Sequence, residues 1–357
     1  MANASPALPR PRIRGLARGT IMTMAAGVGL FCADAAAACT VSPSVTSALG
    51  SYSPAAVQAG AVPALQSRGG LTCPTAVLSL LSANYIRARF RSQNGFVLLQ
   101  QSGSGRVSYT ASADPAGTYK FTQGSTIDYM QNNLLNLLGL LGGSSADLPF
   151  FVQPIGGTRP PVGSYRDRIT IDWSWYQCPL VGALGLCVGV PNQGSGTSTI
   201  DVTLTVSPVD IVVATSWSTT WDPVNTGTRP KALPGARLRS AVAVANTDIV
   251  PLDANSLAIV VPTPVRMMPA LDGDGATNDP AIRIVDGAAA GLAMRYAGPS
   301  DMTDDVDFSS DGGTSWTAVP LAGDAGSQGA ITHVRLRPQG AMIKQSRVTV
   351  SLSYQVR

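Results

Sequence analysis

Apolar and polar residues alternate along two segments near the middle of the chain. In residues 164–178 the apolar positions are Ile169, Ile171, Trp173 and Trp175. After a turn-rich stretch, the same alternation returns at Ile200, Val202, Leu204 and Val206. A period of two residues predicts β-strands with one buried and one solvated face. We therefore expect two strands joined by an apolar loop that Cys178 and Cys187 bracket.

Shorter segments of the same kind occur on both sides of this region. Residues 85–91 alternate apolar and basic side chains, which predicts a strand with one wet face. Beyond residue 208 we predict six further strands, at residues 241–245, 257–261, 281–285, 306–308, 332–337 and 347–354. Turn residues separate these strands, a spacing typical of immunoglobulin-like sandwiches. The sequence therefore predicts an all-β protein with two immunoglobulin-like β-sandwich domains in tandem, residues 39–207 and 208–357.

Composition favours the same fold class. The 357 residues include no Glu and only three Lys, whereas Gly is abundant at 37 residues, and such a chain is poor in long helices. The formal net charge is +4, but residues 1–38 contribute +3 of it (four Arg minus Asp34). The remainder carries only +1, so we predict neither nucleic acid nor an anionic membrane as a partner.

The N-terminus has the pattern of a signal peptide. Residues 10–18 are basic, residues 21–31 are apolar, and small residues 36–38 precede Cys39. We predict removal of residues 1–38 and export by the general secretory route. About 11 apolar residues are too few for a bilayer span, which needs roughly 20. No later stretch is long enough either, so we predict no membrane span after cleavage.

Four cysteines remain after that cleavage: Cys39, Cys73, Cys178 and Cys187. An even number in an exported chain predicts two disulfides. Three pairings are possible, of which we favour Cys39–Cys73 and Cys178–Cys187. Zinc binding is a poor alternative, because there is no CxxC motif and the single histidine, His333, is far away in sequence.

A leucine run at residues 134–141 departs from the strand pattern. It either packs in the core as a helical insert or forms an exposed apolar finger that touches a surface, since exposed apolar patches mark interaction sites. The candidate surface-contact residues are Leu134, Leu137, Leu138, Leu140 and Leu141. The apolar loop at residues 179–186 is a second surface of this kind.

No catalytic, metal or cofactor site is predicted. Residues 272–279 have oxygen ligands at a spacing that calcium loops sometimes use, but a bare turn is the better interpretation because no Glu ends the run. A second acidic cluster at residues 304–311 is interpreted as a solvated loop. His333 lacks a nucleophile motif nearby, so we assign it a structural role. The five tryptophans could form a sugar-binding platform, although core packing is favoured for Trp173.

The first half resembles the spore coat protein U domain family, the pilin-like modules of archaic chaperone–usher pili. The residues that carry the resemblance are 39–42, Tyr52 before Pro54, Cys73, 134–149, 162–167 and 173–178. The nearest pattern is the first domain of two-domain, tip-type members. The resemblance covers roughly residues 39–210.

This resemblance implies a sandwich that lacks its last strand, which a neighbouring subunit normally supplies from an extension before the first cysteine. Here Cys39 stands at the predicted mature N-terminus, so we expect no donor segment and hence a place only at a tip or outside a fibre. Residues 200–206 are expected to fill the groove of the first domain in cis; alternatively, they belong to the second domain.

The second half resembles the bacterial surface repeat family known as domain of unknown function eleven. The matching residues are 222–225, 234–236, 244–247, 305–316 and 332–340. This departs from tip pilins, whose second domain is another pilin module with its own cysteine pair.

These resemblances imply an exported, non-enzymatic surface protein, either an adhesive or a structural subunit of the pilus tip. Its implied partners are a periplasmic pilus chaperone, an outer-membrane usher and pilin subunits, and its implied location is the periplasm in transit, then the fimbrium, cell surface or medium. The alternative is a secreted, coat-like structural protein outside any fibre. A secreted hydrolase is the third hypothesis, and no catalytic residues support it.

Overall fold

The computed structural model of the protein describes residues 39–74, 84–131, 146–178, 180–181 and 187–357. The predicted signal peptide, the leucines of residues 134–141 and most of the loop at residues 179–186 lie outside the described residues. The described chain is nearly all β, which confirms the predicted fold class.

The first group of strands runs from residue 40 to residue 206. Its members are β1 (Thr40–Val41), β2 (Ser44–Tyr52), β3 (Leu65–Cys73), β4 (Tyr85–Ser92), β5 (Val97–Gln100), β6 (Arg106–Ser112), β7 (Thr126–Asp128), β8 (Ala146–Pro154), β9 (Gly163–Gln177), β10 (Leu180–Val181), β11 (Cys187–Val188) and β12 (Asn192–Val206). Helix α1 (Pro54–Gln58) is a single short turn, begun by Ser53, whose side chain accepts a hydrogen bond from the Ala56 N–H.

Ten of these strands form one continuous sheet that closes around a core. The order is β1-β3-β8-β6-β5-β9-β12-β2, with β4 between β7 and β9. β6 pairs with β5 on one side and with β8 on the other, and so joins the two layers. β10 and β11 form a separate two-stranded ribbon.

Strict alternation decides which residues enter this core. In β4, Ile86, Ala88 and Phe90 are buried, whereas Arg87, Arg89 and Arg91 are exposed. β9 alternates over its whole length, so Ile169, Ile171, Trp173 and Trp175 are buried in one cluster. Successive side chains of a strand point to opposite faces, and this is the pattern that the sequence predicted.

Two disulfides lie in the first group. Cys39 is bonded to Cys73, which ties the residue before β1 to the end of β3. Cys178 is bonded to Cys187, and the bond closes the loop that follows β9.

The second group of strands runs from residue 212 to residue 356. Its members are β13 (Val212–Trp221), β14 (Arg237–Asn246), β15 (Ile259–Pro262), β16 (Met267–Pro269), β17 (Ile282–Val285), β18 (Leu292–Ala293), β19 (Val306–Ser309), β20 (His333–Leu336), β21 (Gln339–Gly340) and β22 (Ser346–Val356). A 3-10 turn (Ala288–Ala290) and helix α2 (Ala325–Gly329) interrupt them.

Two main sheets cover the second core. One has the order β13-β14-β22, with β16 and β17 both paired to β22, and the other has the order β15-β20-β19. Val242, Val350, Phe308 and Val334 are buried between them in a cluster separate from the first core. β18 and β21 form a small ribbon beside these sheets.

Candidate strand-binding sites

The last strand of the first group, β12, lies between β9 and β2. It pairs antiparallel with β9, from Asn192 opposite Gln177 to Val206 opposite Gly163. It pairs parallel with β2, from Thr199 opposite Ser44. Ile200, Val202, Leu204 and Val206 are each at most 1% exposed. The chain therefore fills this position itself, which confirms the expectation for residues 200–206; their assignment to the second group was wrong.

A hydrogen-bonded contact between the two layers holds β12 in this register. The Trp173 indole Nε1–H donates to the Ser198 Oγ (2.9 Å) and to the Gly69 carbonyl (3.1 Å), and the Ser198 hydroxyl donates to the same carbonyl (2.7 Å). The approach requires a glycine, because a Cβ on Gly69 would lie 2.6 Å from the Leu148 carbonyl oxygen. These hydrogen bonds hold β3 in one layer against β9 and β12 in the other layer at a single point.

A buried carboxylate fixes the other end of β9. Asp167 is 1% exposed and accepts hydrogen bonds from the Ser92 and Tyr109 hydroxyls, both at 2.6 Å. The backbone N–H groups of Asn94 and Arg168 donate to its second oxygen. Burial, and then the charge of Asp167, raise the pKa of Tyr109. Four donors satisfy this carboxylate, so its role is to hold the β4–β5 turn against β9.

In the second group, an apolar groove opens between the edges of the two main sheets. β13 pairs only with β14, and β15 pairs only with β20, among the described strands. The groove between these two edges has a volume of about 420 Å³. It is lined by Ile211, Val213, Thr215, Val242, Val244 and residues 257–262. Val242, Val244, Ile259 and Val261 also belong to the second core, so the groove leads directly to that core.

The groove exists because the two sheets differ in width. Val213 and Thr215 of β13, and Ile211 just before it, lie on the same side as Trp217, whose ring contacts that of Tyr354 at 5.4 Å. Val213 is nevertheless 58% exposed, because the described strands of the opposite sheet end at β15. Strands in a sheet are about 4.8 Å apart, so one further strand beside β15 would cover this face of β13. The sequence analysis missed β13, although Ile211, Val213 and Thr215 are spaced as in a strand.

The carboxylates of the first acidic run, at residues 272–279, pair with arginines. Asp272 forms an ion pair with Arg237, and Asp274 with Arg239 (3.0 Å). Burial raises the pKa of Asp274, but hydrogen bonds from Thr277, Ala276 and Arg239 outweigh it and hold the pKa at about 2. These carboxylates therefore already have cationic or N–H partners, as in a fixed turn.

The second cluster and His333 are likewise engaged in local contacts. Asp307 contacts Arg335 and Arg337, each at 2.8 Å. Asp311 accepts hydrogen bonds from Ser309 and Ser315. His333 lies in β20 with Nδ1 at 3.2 Å from the Thr332 hydroxyl. No group of three metal-ligating side chains occurs within the residues that the structure describes.

The tryptophans do not share one surface. Trp173 and Trp175 are buried in the first core, which confirms core packing for Trp173. Trp217 and Trp316 lie in the second group, where the Arg335 guanidinium stands over the Trp316 ring at 4.5 Å. The predicted alternative of a five-tryptophan sugar platform is therefore wrong.

The sequence of the first group matches a known domain family. Residues 25–172 match the family of the Spore Coat Protein U domain. The match ends inside β9, so β12 and the whole second group of strands lie beyond it. It thus bears out the resemblance of the first half, while the resemblance of the second half to domain of unknown function eleven stays a prediction.

The solved structures that are similar to this chain include three from different bacteria. A chain of the CsuC–CsuE chaperone–tip adhesion subunit pre-assembly complex, from archaic chaperone–usher Csu pili of Acinetobacter baumannii, is 15% identical. That likeness covers 88% of this chain and 99% of the other, with a TM-score of 0.41. A putative membrane anchored protein of Corynebacterium diphtheriae is 11% identical over 90% of this chain and 51% of its own, with a TM-score of 0.21. The C-terminal domain of the Streptococcus agalactiae AgI/II polypeptide BspA is 6% identical over 82% and 84%, with a TM-score of 0.22.

No curated protein sequence matches the chain. Among its described residues, no helix combines the length and the apolar character that crossing a bilayer requires.

Proposed function

We propose that the protein is an exported, non-enzymatic surface subunit that sits at the tip of an archaic chaperone–usher fibre. The Spore Coat Protein U match over residues 25–172 supports the pilus-associated class. The observation that supports the tip position is β12, which lies between β9 and β2 and completes the first sandwich from within the same chain. A first sandwich that is already complete needs no donor strand, so a second site must connect the subunit to a fibre.

The groove between β13 and β15 is the proposed connection. Its edges offer unpaired backbone N–H and C=O groups, and its floor offers the apolar side chains of Val242 and Val244. An extended segment with apolar residues at every second position would satisfy both, as in β-strand addition. The donor would be the N-terminal extension of the next pilin subunit. A periplasmic chaperone and an outer-membrane usher are the partners that would protect and deliver this groove before assembly.

Two exposed valines allow this connection to be tested without disturbing the core. Val213 lines the groove, whereas Val224 is 73% exposed and lies outside it. Val213→Arg places a charge where a donor strand would pack, and Val224→Arg adds the same charge elsewhere. Immunogold electron microscopy of whole cells, with an antibody against residues 39–357, should show wild-type and Val224→Arg label at the ends of thin fibres.

Val213→Arg should lose this fibre-end label while the protein remains soluble in the periplasm. Equal label for both variants would exclude the groove as the connection. Label spread over the envelope, or present only in the medium for every variant, would favour the coat-like alternative instead.

The leucines of residues 134–141 remain the predicted surface-contact segment of the tip. Replacement of Leu137, Leu138 and Leu140 with Ser should reduce adhesion with little change in melting temperature if they form an exposed finger. A large loss of stability would assign them to the core.

A further inference from the structure

The outer face of β4, β9 and β12 carries a concentration of arginines. Arg87, Arg89 and Arg91 project from alternate positions of β4, and Arg166 and Arg168 project from β9. The four whose ion pairs are described have side chains that are 41–50% exposed. This concentration is unexpected in a chain whose residues 39–357 have a net charge of only +1 (+4 minus +3).

A polar groove crosses this face where β4 ends and β5 begins. The Gln93 N–H donates to the Arg168 carbonyl (2.8 Å), so the β4–β5 turn lies directly beside β9. Because Arg91 pairs with Thr170, Arg91 and Arg168 are diagonal neighbours across the two strands. The larger concavity has a volume of about 440 Å³. This concavity and a smaller one beside it share Gln93 and Arg168. Their combined lining also includes Arg91, Arg166, Gln100 and Gln101.

The arginines outnumber the carboxylates that contact them. Arg166 and Arg168 share one carboxylate, that of Asp201, at 2.6 Å and 3.0 Å. Arg91 pairs with Asp172 and Arg87 with Asp128, so four arginines meet three aspartates, while the Arg89 Nε–H donates to the Gly124 carbonyl (3.1 Å). Each guanidinium has five N–H donors, and the single Asp201 cannot occupy those of two arginines. The groove therefore retains guanidinium N–H donors that face solvent, although the carboxylates of Asp167, Asp172 and Asp201 balance the charge of Arg91, Arg166 and Arg168.

From this geometry we propose that the groove binds an acidic polysaccharide, with Arg91, Arg166 and Arg168 binding the carboxylates of its uronic acid units. Arginine binds carboxylates through two parallel N–H···O bonds, and the amides of Gln93 and Asn94 can donate to and accept from sugar hydroxyls. Single-stranded nucleic acid is less suitable, because the described lining of the groove has no aromatic ring for base stacking. This binding is independent of fibre assembly and of the strand groove between β13 and β15.

The test is direct binding of the secreted chain to immobilised polygalacturonate by biolayer interferometry. Fully methyl-esterified polygalacturonate has the same backbone without the charge, and an oligo-dT strand has the charge without the sugar acid. We expect saturable binding to polygalacturonate that weakens with added salt, and little binding to the other two. Equal binding to the ester would refute the role of the carboxylates, and tighter binding to oligo-dT would replace the polysaccharide with a nucleic acid.

Two sets of variants assign the binding to this groove. Arg166→Gln/Arg168→Gln should weaken binding at least about tenfold, as expected from the loss of charge-assisted hydrogen bonds. Arg229→Gln/Arg347→Gln removes the same charge from two exposed arginines of the second group and should leave affinity within about twofold. If both double variants lost affinity equally, the effect would be one of net charge, and the assignment of binding to this groove would be refuted.

A variant that should bind more tightly distinguishes an effect on binding from a loss of folding. Asp201→Asn removes the carboxylate that Arg166 and Arg168 share, so it should tighten polygalacturonate binding several-fold. Unchanged or weaker binding by Asp201→Asn, with native circular dichroism, would contradict the proposal.

Discussion

Leu204 provides the sharpest test of whether β12 completes the first core. Its side chain is 1% exposed and lies in the same cluster as Trp173 and Ile169. Leu204→Ala removes three carbons from a close-packed interior, which costs about 2–5 kcal/mol of unfolding free energy. Thr203 is the matched control, because its side chain points to the opposite, solvated face of the same strand. Thr203→Ala should change the free energy by no more than about 0.5 kcal/mol.

Hydrogen exchange measured by mass spectrometry localises the effect to one group of strands. A loss of about 2.8 kcal/mol in the opening free energy corresponds to about hundredfold faster exchange. We expect this acceleration in peptides from β9 and β12 of Leu204→Ala, while peptides from β14 and β22 keep their wild-type rates. If Leu204→Ala and Thr203→Ala exchanged alike, or if the acceleration appeared in β14 and β22, the assignment of β12 to the first core would be refuted.

Three further predictions concern contacts described above. Gly69→Ala should lower the melting temperature strongly, because its Cβ would lie 2.7 Å from the Trp173 ring, whereas Gly326→Ala, with only ordinary contacts, should change it little. Burial raises the pKa of Tyr129, so its contribution to the free energy of unfolding is present below pH 10. Above pH 10 the contribution is lost by about 1.4 kcal/mol for each pH unit. Tyr129→Phe should therefore reduce the fall of the unfolding free energy at alkaline pH, measured by urea titrations. Because the pKa of Asp274 is lowered to about 2, its contribution is present above pH 4 and lost as pH falls towards 2; thermal melts between pH 5 and pH 2 should show a shallower decline for Asp274→Asn.

Local alternation was sufficient to predict which side chains of β9 and β12 are buried. The period of two residues depends only on backbone geometry, so it can be read directly from Ile169 to Trp175 and from Ile200 to Val206. The period of two residues does not specify the order of strands in a sheet. That β12 lies parallel to β2 depends on contacts between residues far apart in sequence, for which the alternation carries no signal.

The apolar groove could not be predicted for the same reason. β13 has an ordinary strand pattern, and its exposed apolar face results from the width of the opposite sheet rather than from its own residues. The acidic run at residues 272–279 illustrates the same limit on the polar side. Its spacing allows calcium ligands, but the arginines that pair with Asp272 and Asp274 lie 35 residues upstream.

The parallel pairing of β2 with β12 sets a time order for folding. Thr199 lies opposite Ser44, which is 155 positions earlier in the chain (199 minus 44). A chain that is exported N-terminus first must therefore expose the edges of β2 and β9 until Val206 has followed. Such long-range contacts make folding slow, and an unpaired apolar edge invites aggregation in the interval. During this interval the apolar side chains that β12 covers in the finished first core are open to solvent, so aggregation is a hazard of the incomplete first group rather than of the finished one.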